Sequence, residues 1–358
     1  MSSKELQPRE QAILTEIIEY YFAHHEAVSA RTLSKVSRLA LSPTSIRNLM
    51  EDLSDGGYLT PYGAPRGRVP TKKAFYVYIR GLHPEPRTRR PPSGTPSGTP
   101  SGAPEPGGGE GMEPFAERLE RAGSELARQT GCAAGALLPA KESYPLDWVR
   151  FAPIDGLRVL VSVGTLFGDV WSRVVHAAEP IAPEVLLEVE RHLDRNYRGR
   201  SLAAVRNGIM SGSAMAFLEN APSLGGAFRL LRKAFEWGAE PQWKAWGEEN
   251  LYRLEAFRDP ERLLRLHRAL QSPDFAERAV RQGSPVHGAI VAIGSETGAR
   301  ELADLSVVAC TFGWEQGWQG ILAAIGPIHM DYGKVLQIAA WFASELERGL
   351  KEAAGSAT

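Results

Sequence analysis

The sequence predicts an α+β multidomain protein with a small helical head and a larger mixed body. Three observations predict it. Three amphipathic helical patterns and a basic, turn-rich segment crowd into residues 1–82. A Pro/Gly-rich tract nearly devoid of apolar side chains follows at 83–112. Beyond it, short apolar runs give way to long helical patterns and then return, which is the order of a sheet domain with a helical interruption.

The first helix is expected over residues 8–24. Ile13, Leu14, Ile17, Ile18, Tyr21 and Phe22 share one face, and Pro8 suits a first helical position. The second is expected over residues 30–38, with Ser29 as its cap and Leu33 and Val36 facing inward. The third opens at Ser42-Pro43, a cap followed by proline, and stops at Gly56-Gly57. Ile46, Leu49, Met50 and Leu53 form its buried stripe. Thr44, Arg47, Asn48 and Glu51 point the other way.

That outward face carries the first functional signal. Arg and Asn pair bidentately with guanine and adenine in the major groove. Ser42, Thr44 and Ser45 crowd the helix start, where hydroxyls and amides can hold phosphate. An ordinary solvated face is the competing reading. The segment after the helix tips the balance. Tyr58-Leu59-Thr60 is strand-like, and the turn-rich run that follows carries Arg66 and Arg68. Thr71 then caps a fourth helix that starts at Lys72. Three helices and a basic hairpin make a winged helix-turn-helix, whose third helix enters the major groove. Arg47 and Asn48 are the base-reading candidates. Ser42, Thr44, Ser45, Arg66, Arg68 and Lys72 are the backbone-positioning ones.

The tract at 83–112 contains SGTP-SGTP-SGAP and PEPGGGEG. With so little to bury, it cannot offset the entropy of ordering and reads as a disordered linker. Its reach is about 30 Å, at roughly 5–6 Å times the square root of its length. Charge divides across it. Residues 1–82 carry 11 Lys/Arg against 8 Asp/Glu, or +3, so the near-neutral total of -1 hides a basic head on an acidic body.

Composition excludes several classes. Hydrophobic residues at 43% and charged residues at 23% rule out whole-chain disorder. Two cysteines, Cys132 and Cys310, cannot build a disulfide scaffold or a four-Cys zinc site. No apolar run approaches the roughly 20 residues that span a bilayer, and the N-terminus lacks a signal-peptide core. A soluble cytoplasmic protein without a membrane partner is expected. No histidine pair has metal spacing, Gly294-Ser295-Glu296-Thr297-Gly298 lacks the ending of a phosphate loop, and no nucleophile–base pair stands out. Neither cofactor, metal nor catalysis is expected. Asp331 and His329, at the start of the last helix, read as structural.

The run Leu41-Ser42-Pro43-Thr44-Ser45-Ile46-Arg47-Asn48-Leu49-Met50-Glu51-Asp52-Leu53, with Gly57-Tyr58-Leu59 and Gly67-Arg68-Val69-Pro70-Thr71, resembles the bacterial heat-inducible transcription repressor family HrcA. Val28-Ser29-Ala30-Arg31-Thr32-Leu33, the segment from Glu249-Asn250-Leu251 to Arg262-Leu263-Leu264, and Gly326-Pro327-Ile328-His329-Met330-Asp331-Tyr332-Gly333-Lys334-Val335 fit it too. The match touches most of the chain apart from the linker. One departure stands at the wing tip. Gly63-Ala64-Pro65-Arg66 replaces the family's His-Thr-Ser-Ala, so hydroxyl contacts there do not carry over, while Arg66 adds a cation.

The resemblance implies a GAF-like α+β domain interrupted by a helical dimerising insertion. The expected division is a winged helix at 1–82, the linker at 83–112, the GAF-like domain at 113–178 and 284–350, and the insertion at 179–283. Strands are expected at 133–138, 148–154, 157–163, 170–176, 289–293, 306–312 and 320–325, and a last helix at 333–350. The resemblance also implies repression of heat-shock (chaperone) operons by a homodimer on an inverted-repeat operator in double-stranded DNA. Release on heating and support from a GroEL-type chaperonin belong to the same expectation. Marginal stability of the body or of its dimer interface would supply the heat response. A regulator with the same head but a small-molecule effector in the GAF-like pocket is the alternative.

Overall fold

The computed structural model describes residues 6–39, 41–62, 67–82, 114–210, 225–235, 241–297, 303–314 and 317–355. The expected linker at 83–112 and the wing tip with Arg66 lie outside the described residues.

The head has the architecture its capping signals specify. Helix α1 spans Pro8–His24, α2 Ala30–Val36 and α3 Pro43–Asp55. The Ser29 side chain accepts from the Thr32 amide, and Ser42 accepts from that of Ser45. Strands β1 (Leu59–Pro61) and β2 (Arg68–Pro70) pair antiparallel, and Val28 bridges to Arg68 on the other side. Thr71 caps α4 (Lys72–Gly81). Ile13, Ile17, Ile18, Leu33, Ile46, Leu53 and Ile79 form the buried core. Val36 does not join it: at 57% exposed, it sits in the last turn of a seven-residue helix that ends before it can turn inward.

The body centres on a six-stranded antiparallel sheet of order β7-β3-β11-β10-β9-β8. Its strands are β3 (Ala133–Leu138), β7 (Gln242–Trp246), β8 (Ser284–Val286), β9 (Ala289–Ile293), β10 (Leu305–Trp314) and β11 (Trp318–Pro327). Side chains alternate strictly between two apolar clusters. Val308, Cys310, Phe312, Leu322 and Ala324 join the core that includes α5 (Phe115–Thr130) and the last helix, Tyr332–Gly355. Val307, Ala309, Ala323 and Ile325 join Leu266, Leu270, Phe275 and Ala279 on the other face. Both faces are covered, so the strands read as continuous apolar runs.

The strands group differently from the expected division. Strands β4 (Leu146–Pro153), β5 (Arg158–Thr165) and β6 (Val170–His176) form a sheet of their own, outside the six-stranded one. The expectation had placed them in the GAF-like domain. Helices Pro183–Tyr197 and Gly225–Ala234 pack on one of its faces, where Val149, Val159, Val161, Val163 and Val175 are buried. Conversely, β7, expected in the insertion, joins the six-stranded sheet, and the helices Pro260–Leu270 and Pro273–Gln282, expected there too, pack on one of its faces. Hairpin connections satisfy β4–β6 locally, so nothing in their pattern says which sheet they join. Strand β7 is set by a distant fit: the Trp243 ring lies over Gly135, where a Cβ would fall 2.0 Å from it.

Head and body do not stand apart on a tether. The head's Ile17, Phe75 and Ile79 lie in one continuous apolar cluster with the body's Tyr332 and Val291. Phe22 of α1 approaches Tyr332 with ring centroids 6.3 Å apart. No helix among the described residues is long and apolar enough to cross a membrane.

Candidate nucleic-acid interface

The outward face of α3 is laid out as its periodicity requires. Ile46, Met50 and Leu53 are buried, while Thr44, Arg47, Asn48 and Glu51 are exposed. The start of the helix is economical in free donors. Pro43 has no N–H, the Ser45 amide is taken by Ser42, and the Ile46 amide donates to the Ser42 carbonyl. The Thr44 amide is left without a partner inside the helix. Ser42 and Ser45 hydroxyls bond each other at 2.9 Å. That bond uses one of their two hydrogens, so the pair keeps one O–H for an outside acceptor.

Arg47 does not stand alone. It lines a cleft of about 520 Å³ with Ser29, Arg31, Met50, Glu51 and Arg68. Three arginines, from α2, α3 and the wing strand, line it beside one glutamate. Arg68 reaches the helix directly: its Nε donates to Ser54 Oγ at 3.1 Å. Arg31 is absent from the candidates named from sequence. It occupies the first turn of α2, a short helix whose charge alone carried no signal. Only the crossing of α2 over α3 brings it to Arg47.

Lys72 is not brought to this cleft. It begins α4, next to Thr71, whose hydroxyl donates to the Gly57 carbonyl beyond the end of α3. That end is about 20 Å, at 1.5 Å per residue, from the Ser42 end. The Lys72 ammonium pairs instead with Glu296 of the body at 2.8 Å. The turn that carries Glu296, Gly294–Thr297, is therefore a contact with the head and not a free surface turn.

Among the described residues no three His, Cys, Asp or Glu side chains group to hold a metal. Burial pushes the Cys132 thiol up to about 11, which keeps it protonated and unreactive.

Comparison with known proteins places the whole architecture. The family described as HrcA protein C terminal domain matches residues 116–336, more than half of the chain. The chain belongs to the HrcA family. Relatives described as heat-inducible transcription repressor HrcA extend the match through the head. The Xanthomonas axonopodis pv. citri protein is 26% identical over 333 residues, 93% of each chain. The Geobacter sulfurreducens protein is 27% identical over 348 residues, 97% of this chain and 99% of that one. A crystal structure described as a hypothetical protein at 2.2 Å resolution has a similar fold, with a TM-score of 0.60 at 21% identity over 98% of this chain and 100% of the other. The fold is thus a mixed α+β arrangement with an N-terminal winged helix.

Proposed function

We propose that this HrcA family member is a DNA-binding repressor of heat-shock operons. One observation carries the reading: Arg31, Arg47 and Arg68 line one cleft beside the exposed face of a proline-started helix and its wing. In this reading Arg47 and Asn48 touch base edges. Ser42, Thr44, Ser45, Arg31, Arg66 and Arg68 hold the backbone. Repression is steric exclusion of polymerase, and no chemistry is done on DNA. The relatives' description as heat-inducible transcription repressors supports it.

A homodimer on an inverted repeat follows from one recognition helix per protomer. The open face of the β4–β6 sheet is the surface proposed to meet the second copy. By register, Trp148, Leu160, Val170 and Val174 share that face, and Val170 and Val174 are 55% and 45% exposed. The chaperonin's supporting role and release on heating complete the reading, on the strength of the family resemblance. The protein then works in the bacterial cytoplasm.

The test is a gel shift on the promoters of the organism's own chaperone operons, at several salt concentrations. Arg47→Ala is expected to lower discrimination between operator and unrelated DNA by about 1–3 kcal/mol. An equal loss on both DNAs would overturn its assignment to bases. A cleft of about 380 Å³ between Glu142, Ser201, Trp314 and Trp318 favours the small-molecule alternative. A thermal-shift screen over metabolites separates the two readings.

A further inference from the structure

The head meets the body through α4, and one carboxylate gathers that contact. Glu296 accepts from the Lys72 ammonium at 2.8 Å, from the Ile293 amide at 3.1 Å, and from the Tyr76 hydroxyl. The Tyr76 hydroxyl also lies 2.7 Å from the Val291 carbonyl, so its single hydrogen serves one acceptor at a time. Burial would raise the Glu296 carboxyl, but the hydrogen bonds from Lys72, Tyr76 and Ile293 hold it below its ordinary value. It is an anion with three donors. One turn further along α4, the Ile79 carbonyl lies 3.0 Å from His287 Nε2. Just past the end of α1, the His25 ring lies tilted against that of His329, with centroids 3.9 Å apart. His329 and Tyr332 belong to the C-terminal signature run, so that run lies on the head.

We propose that the clasp of Lys72 and Tyr76 on Glu296 couples the order of the DNA-binding head to the folded state of the body. The three acceptors and donors come from two consecutive turns of α4 and from the strand and turn at 289–297, so the clasp spans the seam and no single domain contains it. A paired, half-buried carboxylate that loses its partners is costly. Loosening of the body at β9 therefore removes support from α4, and with it from α1, which packs on α4. The idea deepens the repressor reading, since it routes heat felt by the body to the recognition helix. Its test does not use DNA, so it fails or succeeds independently of the Arg47 experiment.

Hydrogen exchange on the full chain reads the head through amides of α1 and α4. Tryptophan fluorescence reads the body alone, because all eight tryptophans lie at or beyond Trp148. In the wild type, loss of head protection and the tryptophan transition are expected to coincide on heating. The Lys72→Met/Tyr76→Phe double variant removes the clasp from the head side while keeping both side-chain shapes. Its α1 and α4 amides should exchange at least tenfold faster, on the order of the about 1.4 kcal/mol that a factor of ten represents, at temperatures where the tryptophan signal is native. Lys72→Arg should stay within about twofold of wild type, since the cation is kept. Wild-type exchange in the double variant, or head and body transitions that shift together, would overturn the proposal.

Discussion

Arg68 of the wing strand donates to Ser54 in the last turn of α3, at 3.1 Å. Ser54 in turn donates to the Met50 carbonyl at 2.7 Å. The wing and the helix are thus one rigid unit, and Arg68 has two separable tasks: it braces α3 and presents charge to the cleft. Ser54→Ala removes only the brace. It is expected to cost about 1 kcal/mol of head stability and to leave the salt dependence of DNA binding unchanged. Arg68→Ala should cost a similar amount and also flatten the slope of log affinity against log salt by about 0.9. Denaturant midpoints and salt titrations check both, and equal slopes in the two variants would deny Arg68 a phosphate.

Arg31 tests the cleft from the α2 side. It lines the cleft with Arg47 but sits on the helix that precedes the recognition helix. Arg31→Ala should weaken operator and unrelated DNA alike and lower the salt slope by about 0.9. A change in sequence preference would place Arg31 on a base instead.

The open sheet face predicts the assembly. Val174→Asp puts a charge on an exposed position of that face, opposite Leu160. The variant should sediment as a monomer with an unchanged fold, and it should bind a single half-site far better than it binds two cooperatively. A dimer that survives Val174→Asp and Val170→Asp would move the interface elsewhere.

The pairing of β7 with β3 depends on an absent side chain. A Cβ on Gly135 would lie 2.0 Å from the Trp243 ring. Gly135→Val is therefore expected to destabilise the body by about 1–3 kcal/mol, or to expel β7. Urea unfolding followed by tryptophan emission measures it, and Gly57→Ala in the head should leave that signal alone.

His329 makes stability depend on pH. Burial, and then the neighbouring His25, lower it to about 4. The unfolded chain holds its proton up to about 6.5, so between these values the unfolded state binds more protons. Stability is full above about pH 6.5 and declines as pH falls towards 4. His329→Asn should flatten that part of the urea midpoint against pH. Identical profiles would mean that His329 titrates in the folded protein as it does in the open chain.

Much of the head was legible in the sequence, because its signals are local. A cap residue binds an amide three positions away, a proline fits one helical position, and a 3.6-residue period names its own buried face. Ser29, Ser42 and Thr71 each cap the helix they precede. The outward set of Thr44, Arg47 and Asn48 follows from the same period. Arg31 did not follow, because its place beside Arg47 depends on how two helices cross.

The body divides the same way. Individual strands were readable from their apolar runs, and β3, β6 and β9 lie where expected, at Ala133–Leu138, Val170–His176 and Ala289–Ile293. Which sheet they enter was not, since a hairpin pattern is satisfied by any partner it can turn back upon. Strand β7, five residues with two tryptophans, gains its place from distant fits, with Trp243 over Gly135 and Trp246 over Gly123. Lys72 is the plainest case. Sequence placed it next to a basic wing and suggested phosphate, but a carboxylate 224 positions later, at Glu296, claims it in the fold. By itself, then, the sequence determined the helices of the head, the caps at Ser29, Ser42 and Thr71, the outward face of α3 and the family. Tertiary structure alone decided the sheet membership, the three-arginine cleft and the seam between head and body. Local hydrogen bonding and periodicity are written in neighbouring residues, whereas packing and charge pairing join residues that only the folded chain makes neighbours.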